Sequence, residues 1–94
     1  MNETVRIEYN DEKGCIYLQI DSEIIAQLTF KFSGNKRIII DHVIVDEAYN
    51  GKGYGKKMVA AAVEFAREKG IKIFPLCPFA RNVLERTAEY EDVL

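Results

Sequence analysis

The sequence has no tryptophan, one histidine, two prolines and two cysteines. It also has no apolar run of membrane-spanning length. Each shortage removes a class of function. Cys15 and Cys77 stand far apart, without the close pairs that zinc ligands or redox dithiols require, so neither a metal site nor a disulfide is implied. The opening residues, MNETVRIEYNDEK, lack the apolar centre of a secretion signal, and the chain reads as cytoplasmic with no membrane partner. Thirteen basic against fifteen acidic side chains leave a formal charge of −2, which offers nucleic acid no general attraction. Any basic site must be local.

What is present is the composition of an ordinary folded domain. Of the 94 residues, 48% are hydrophobic and 30% charged, and five Tyr with five Phe can fill a core without Trp. The length suits one small domain, residues 1–94, with little room for a deep enclosed pocket.

Hydrophobic spacing predicts strands at Val5 to Tyr9, Cys15 to Ile20 and Ala26 to Phe32, each alternating apolar with polar residues. The short breaks NDEKG, DSE and SGNK suit hairpin turns, so an antiparallel meander is expected. Ile38 to Val45 puts apolar groups on both faces, interrupted by Asp41 and His42, as a central strand covered on both sides would. Met58, Val59, Ala62, Val63, Phe65 and Ala66 then recur at helical spacing, and Gly70 ends that helix. Ile71 to Cys77 reads as a further strand that loses its ladder partner at Pro75, and Pro78 to about Arg86 as a short helix. The expected fold is α/β (α+β): a mixed, mainly antiparallel sheet of about five strands, with a central β-α-β crossover and a short C-terminal helix.

Between the strand ending at Val45 and the long helix lies NGKGYGKK, residues 50–57. A helix start presents unpaired N–H groups and the positive end of the peptide dipoles, so it favours anions. Glycines at 51, 53 and 55 let the backbone approach a phosphate closely, whereas a plain connecting turn needs only one glycine. The nucleotide P-loop pattern fails, with Asn50 in place of its first Gly and Lys57 in place of Ser or Thr. The dinucleotide pattern fails at Lys56.

VIVDEAYNGKGYGKKMV, residues 43–59, resembles the acetyl-coenzyme A signature of the GNAT-type N-acetyltransferases. That signature is a hydrophobic strand, a loop with an aromatic residue, then Q/R-x-x-G-x-G/A opening a helix. Here Asn50 replaces the Gln or Arg. The segment PLCPFA, residues 75–80, resembles a short branch of the same family with few elements beyond the cofactor-binding core. The resemblance implies that the backbone of Val43, Ile44 and Val45 receives pantetheine. It implies further that the amides of Gly51, Gly53, Gly55 and Lys56 cradle the pyrophosphate, that Asn50 at the motif's first position also contacts the cofactor, that Tyr54 packs against cofactor or core, and that Lys52, Lys56 or Lys57 reaches the ribose phosphate. The implied activity is transfer of acetyl from acetyl-CoA to a primary amine, small molecule or peptide. A coenzyme A-binding module without turnover is the alternative, and a homodimer is compatible with so short a fold.

Three side chains are candidates for the chemistry. His42 is either a general base or a core histidine; on a largely apolar strand, burial would depress its pKa, with Asp41 on the opposite face. Cys77, just before Pro78 at a helix start, is either an acetyl-carrying nucleophile or a small buried hydrophobe. Tyr90 is implied by the family's proton-donating tyrosine, with Asn82 matching the asparagine that precedes it.

Overall fold

A computed structural model describes residues 2–94. Four strands, β1 (Glu3–Tyr9), β2 (Lys13–Ile20), β3 (Glu23–Ser33) and β4 (Arg37–Val45), form an antiparallel meander. Helix α1 (Tyr54–Lys69) then leads to β5 (Lys72–Pro75), which pairs parallel to β4. Strand order follows the chain, β1-β2-β3-β4-β5. The expected mixed sheet, crossover and C-terminal helix α2 (Pro78–Arg86) are all present. Two short stretches of 3-10 helix, Glu47–Tyr49 and Ala88–Val93, complete the described elements.

The turns follow from local chemistry. In the first, the Asn10 side-chain oxygen accepts from the N–H groups of Glu12 and Lys13, at 2.8 and 3.0 Å, and reverses the chain. In the second, Asp21 takes a left-handed φ of 55°, which a short polar side chain tolerates. Gly70 ends α1, its N–H bonding back to Ala66 and Arg67.

Both helices pack on one face of the sheet. There Ile16, Leu18, Leu28, Phe30, Ile38 and Ile40 meet Met58, Val59, Ala62 and Val63 of α1 and Leu84 of α2, all buried. The opposite face carries no helix among the described residues, which corrects the expectation that β4 is covered on both sides. Ile44 on that face is 54% exposed. The pattern misled because β4 contains a bulge: Thr29 pairs with His42 and Phe30 with Ile40, leaving Asp41 as the extra residue. A bulge changes the alternation. Ile38, Ile40, Val43 and Val45 therefore all serve the helical face, while Ile39, His42 and Ile44 face away.

Gly14 lies between two aromatic residues on the helical face. A Cβ there would stand 2.7 Å from Tyr9 Cβ and closer still to the Phe30 ring, which is buried against Phe65 and Phe32. Overpacking of this kind costs about 1–3 kcal/mol. Gly14→Ala should lose stability in that range by urea unfolding, and an unchanged midpoint would show that the Tyr9–Phe30 contact gives way freely.

Candidate active site

The site begins where β4 and β5 part. Their ladder ends at Ile40 opposite Pro75, and the Ile40 carbonyl accepts both the Leu76 and the Cys77 N–H at 3.1 Å. Proline has no N–H to continue a ladder, and the chain turns away into α2. From Asp41 to Val45, β4 is paired to β3 alone. A cleft therefore opens between the strands, with the backbone of Val43, Ile44 and Val45 along one wall. Ile44 turns its side chain to the far face, so only its backbone is available to the cleft.

The glycine loop closes one end of this cleft. Asp46 caps the 3-10 turn, its carboxylate accepting from the Ala48 N–H at 3.0 Å, while its own N–H is held by the Ile25 carbonyl at 2.7 Å. Gly51 and Gly53 follow with φ of 76° and 84°, the region where a side chain is strained. A Cβ on either would meet nothing within 4 Å. Packing therefore does not require glycine here; backbone conformation and access do. Gly53 is the N-cap of α1 and offers no side-chain acceptor, which leaves the first-turn N–H groups open to a ligand. The sixteen residues of α1 align their dipoles behind them.

The loop, Val43 and Val45 enclose a cavity of about 500 Å³ that Tyr49, Asn50, Lys56 and Phe79 also line. Gly55 is buried for a different reason: a Cβ there would stand 2.7 Å from the Phe79 ring. Tyr49 and Phe79 are wall residues that the sequence reading did not single out. The signal for Phe79 was its place after Pro78, at the start of a helix facing the loop.

Tyr54 and Lys57 are held from a distance. The Tyr54 hydroxyl donates to Glu3 Oε2 at 3.2 Å and the Lys57 ammonium pairs with Glu3 Oε1 at 2.7 Å. The Lys57 bond, ahead of opposing partial desolvation, holds the Glu3 carboxyl below its ordinary range, and burial raises the Tyr54 phenol. Lys57 is thus committed to β1, whereas Lys56 lines the cavity and Lys52 is exposed, 5.9 Å from the Tyr49 ring centre. Glu3 was missed by sequence reading: an acid at a strand start gives no sign of a partner more than fifty positions away.

His42 lies on the bare face beside the mouth of the cleft, opposite Thr29. It is exposed, not buried as expected. Asp41 shares its face, because the bulge places both residues between Ile40 and Val43. Cys77 is half-buried at the N-cap of α2, its N–H tied to Ile40 at the apex of the cleft. Tyr90 lies away from the glycine loop. Its ring lies 6.0 Å from the Arg67 guanidinium, and Arg67 is roughly 20 Å along α1 from Tyr54 at the ordinary rise per residue. Asp92 holds Arg67 through two bonds, at 2.8 and 2.9 Å, fixing the last 3-10 turn at that far end. Asn82 on α2 is exposed. Among the described residues no group of three or more His, Cys, Asp or Glu side chains is placed to hold a metal, and no helix is long and apolar enough to cross a membrane.

Comparison with known proteins matches residues 15–93 to the family described as GCN5-related N-acetyl-transferase. Protein NATD1 of Danio rerio is 27% identical over 82 residues, which cover 86% of this chain and 74% of that protein. The solution structure of a GCN5-like protein from Staphylococcus aureus superposes with a TM-score of 0.71 at 36% identity, covering 94% of this chain and 85% of the other. A GNAT family acetyltransferase from Elizabethkingia anophelis, solved with acetyl-CoA bound, shares the fold at a TM-score of 0.67 and 15% identity, covering 80% of this chain and 52% of the other.

The Glu3 tether has a pH signature. A carboxyl whose pKa is lower in the folded state stabilises fully above its unfolded pKa, near 4.5, and loses that stabilisation as pH falls through the lower folded value. Glu3→Gln should therefore be less stable than the parent at pH 7, and the gap should narrow below about pH 4.5. Thermal unfolding across pH 3–7 measures this, and a gap independent of pH would remove the tether from the stability of the loop.

Proposed function

The chain belongs to the GCN5-related N-acetyltransferase family, and on that footing we propose that it moves acetyl from acetyl-CoA to a primary amine by direct attack. The observation that carries this reading is the pair of left-handed glycines, 51 and 53, whose Cβ positions would meet only open space at the uncapped start of α1. Such a cradle suits a pyrophosphate, which accepts hydrogen bonds from the backbone and sits favourably at a helix N-terminus.

When bound, the coenzyme supplies the acetyl thioester. The amides of Gly51, Gly53, Gly55 and Lys56 hold its pyrophosphate, with Asn50 and Tyr54 beside them. Lys52 and Lys56 are free to meet the ribose phosphate, and Lys57 contributes only through Glu3. The unpaired edge of β4 from Val43 to Val45 offers main-chain bonds to the pantetheine, and the walls of the cleft exclude water from it.

The attacking amine must be uncharged. Its nitrogen forms the C–N bond as the C–S bond breaks, the electron pair leaves on sulfur, and the proton shed by nitrogen passes to His42. His42 fits this role because it is exposed beside the mouth of the cleft and faces an incoming amine across open solvent. Direct attack requires no acetyl-cysteine, and Cys77 instead fixes the apex of the cleft through its backbone. A cytoplasmic setting keeps both thiols reduced.

Gly53→Asn separates the cradle from the fold, because Asn tolerates left-handed φ and its Cβ would meet no protein atom. Acetyl-CoA affinity should fall about tenfold, a loss of about 1.4 kcal/mol, with thermal stability nearly unchanged. Unaltered affinity by calorimetry would move the cofactor elsewhere. His42→Ala should lower kcat about 100-fold while leaving acetyl-CoA affinity intact, and Cys77→Ser should keep most of the activity. Trapping of an acetylated Cys77 by mass spectrometry, with an inactive Cys77→Ser, would replace direct attack by a covalent route.

A further inference from the structure

On the bare face of the sheet lies a second groove, of about 570 Å³, running over β1 to β4 and reaching the cleft at Asp41. Register orders its side chains into two transverse rows. Glu8, Cys15, Thr29 and His42 lie opposite one another in the first, with Asp41 beside His42 in the bulge. Lys13 and Lys31 face each other in the second.

Among the described residues neither row is fully satisfied. Like charges directly opposite on antiparallel strands repel, and among the described residues neither lysine has an ion-pair partner. The Thr29 hydroxyl is buried in the floor with no hydrogen-bond partner among the described residues, a costly state for a polar atom. The Asp41 carboxylate beside it takes part in no ion pair among the described residues. One end of the groove therefore lacks a cation that can donate hydrogen bonds, and the other lacks an anion.

We propose that this groove binds the acetyl acceptor, and that the acceptor is a small ω-amino acid or similar zwitterion: a primary amine carrying an anionic group several bonds away. The inference rests on acetyl transfer at the β4–β5 cleft. The ammonium pairs with Asp41 above the Thr29 hydroxyl, next to the cleft, and gives one proton to solvent before attack, which leaves His42 to take the second. The anionic group lies between Lys13 and Lys31 and relieves their repulsion. The row of Asp41 and Thr29 and the row of Lys31 are two residues apart along β3, a backbone spacing of roughly 7 Å. That spacing suits an amine and an anion divided by three or four carbons and is too long for an α-amino acid.

The test is a thiol-release assay with acetyl-CoA and a matched set of amines: γ-aminobutyrate, 3-aminopropylphosphonate, glycine, n-butylamine and 1,4-diaminobutane. The two long zwitterions should exceed butylamine, diaminobutane and glycine in kcat/KM by at least about tenfold, and whichever of the two leads identifies the anion as carboxylate or phosphonate. In Lys13→Gln/Lys31→Gln the ratio of γ-aminobutyrate to butylamine should fall to about one, through KM. Equal or better turnover of butylamine or diaminobutane by the parent, or a preference that survives the double substitution, overturns the proposal. Should no amine be acetylated, amide shifts on adding γ-aminobutyrate to the coenzyme A-loaded chain decide: changes centred on residues 13, 29, 31 and 41 uphold the groove, and their absence overturns it. Failure of the cofactor reading is seen separately, as acetyl-CoA that does not shift residues 43–57.

Discussion

Past Ile40, β4 loses its neighbour on one side, and the rest of the molecule is arranged around that unpaired edge. Pro75 ends the ladder because it has no N–H to offer, and two successive amides, of Leu76 and Cys77, converge on the Ile40 carbonyl. The bulge at Asp41 falls at the same level, so pairing ends on one side of the strand where its register changes on the other. Unpaired main chain is costly when dry and useful when a ligand can pair with it. A strand edge open from Asp41 to Val45, with a helix N-terminus at its end, supplies extended main-chain bonds and anion-binding amides along one line.

The helices cover only one face, and this divides the molecule into two surfaces with different work. The helical face holds the core and, at the start of α1, the glycine cradle. The bare face holds polar side chains in ordered rows, and the cleft is the place where the two communicate. On the bare face the cross-strand register of the sheet itself brings polar side chains of different strands together.

Much of this was legible in the sequence, and the failures have physical causes. Alternation in β1 to β3 gave the meander, because one buried face leaves a period of two. The glycines at 51 and 53 were readable as conformational requirements, since only the backbone is at stake there. IIIDHVIV misled because a bulge is a property of two strands: the extra residue exists only relative to Thr29 and Phe30, and one strand read alone cannot reveal it. The same misreading placed His42 inside and Asp41 on the face opposite to it. Tyr90 was carried over by its place after the last strand; the Arg67–Asp92 pair that fastens the turn around it has no local signal. Thr29 looked like an ordinary polar member of a strand, and its unmet hydroxyl appears only when its neighbours are in place.

The bonds from Glu3 to Tyr54 and Lys57 also bear on the order in which the chain assembles. Within the meander the strands pair with their chain neighbours and close short loops, whereas these bonds close loops of 51 and 54 residues. Loop closure costs more entropy as the loop lengthens, and distant contacts tend to form after local ones. The hairpins can therefore form while the glycine segment is still unrestrained, and the cradle is fastened only once the first strand lies in the finished sheet. In the emerging chain the earliest residues thus wait for the middle of the sequence. Cofactor competence becomes a late event in folding, reached after the hairpins have formed.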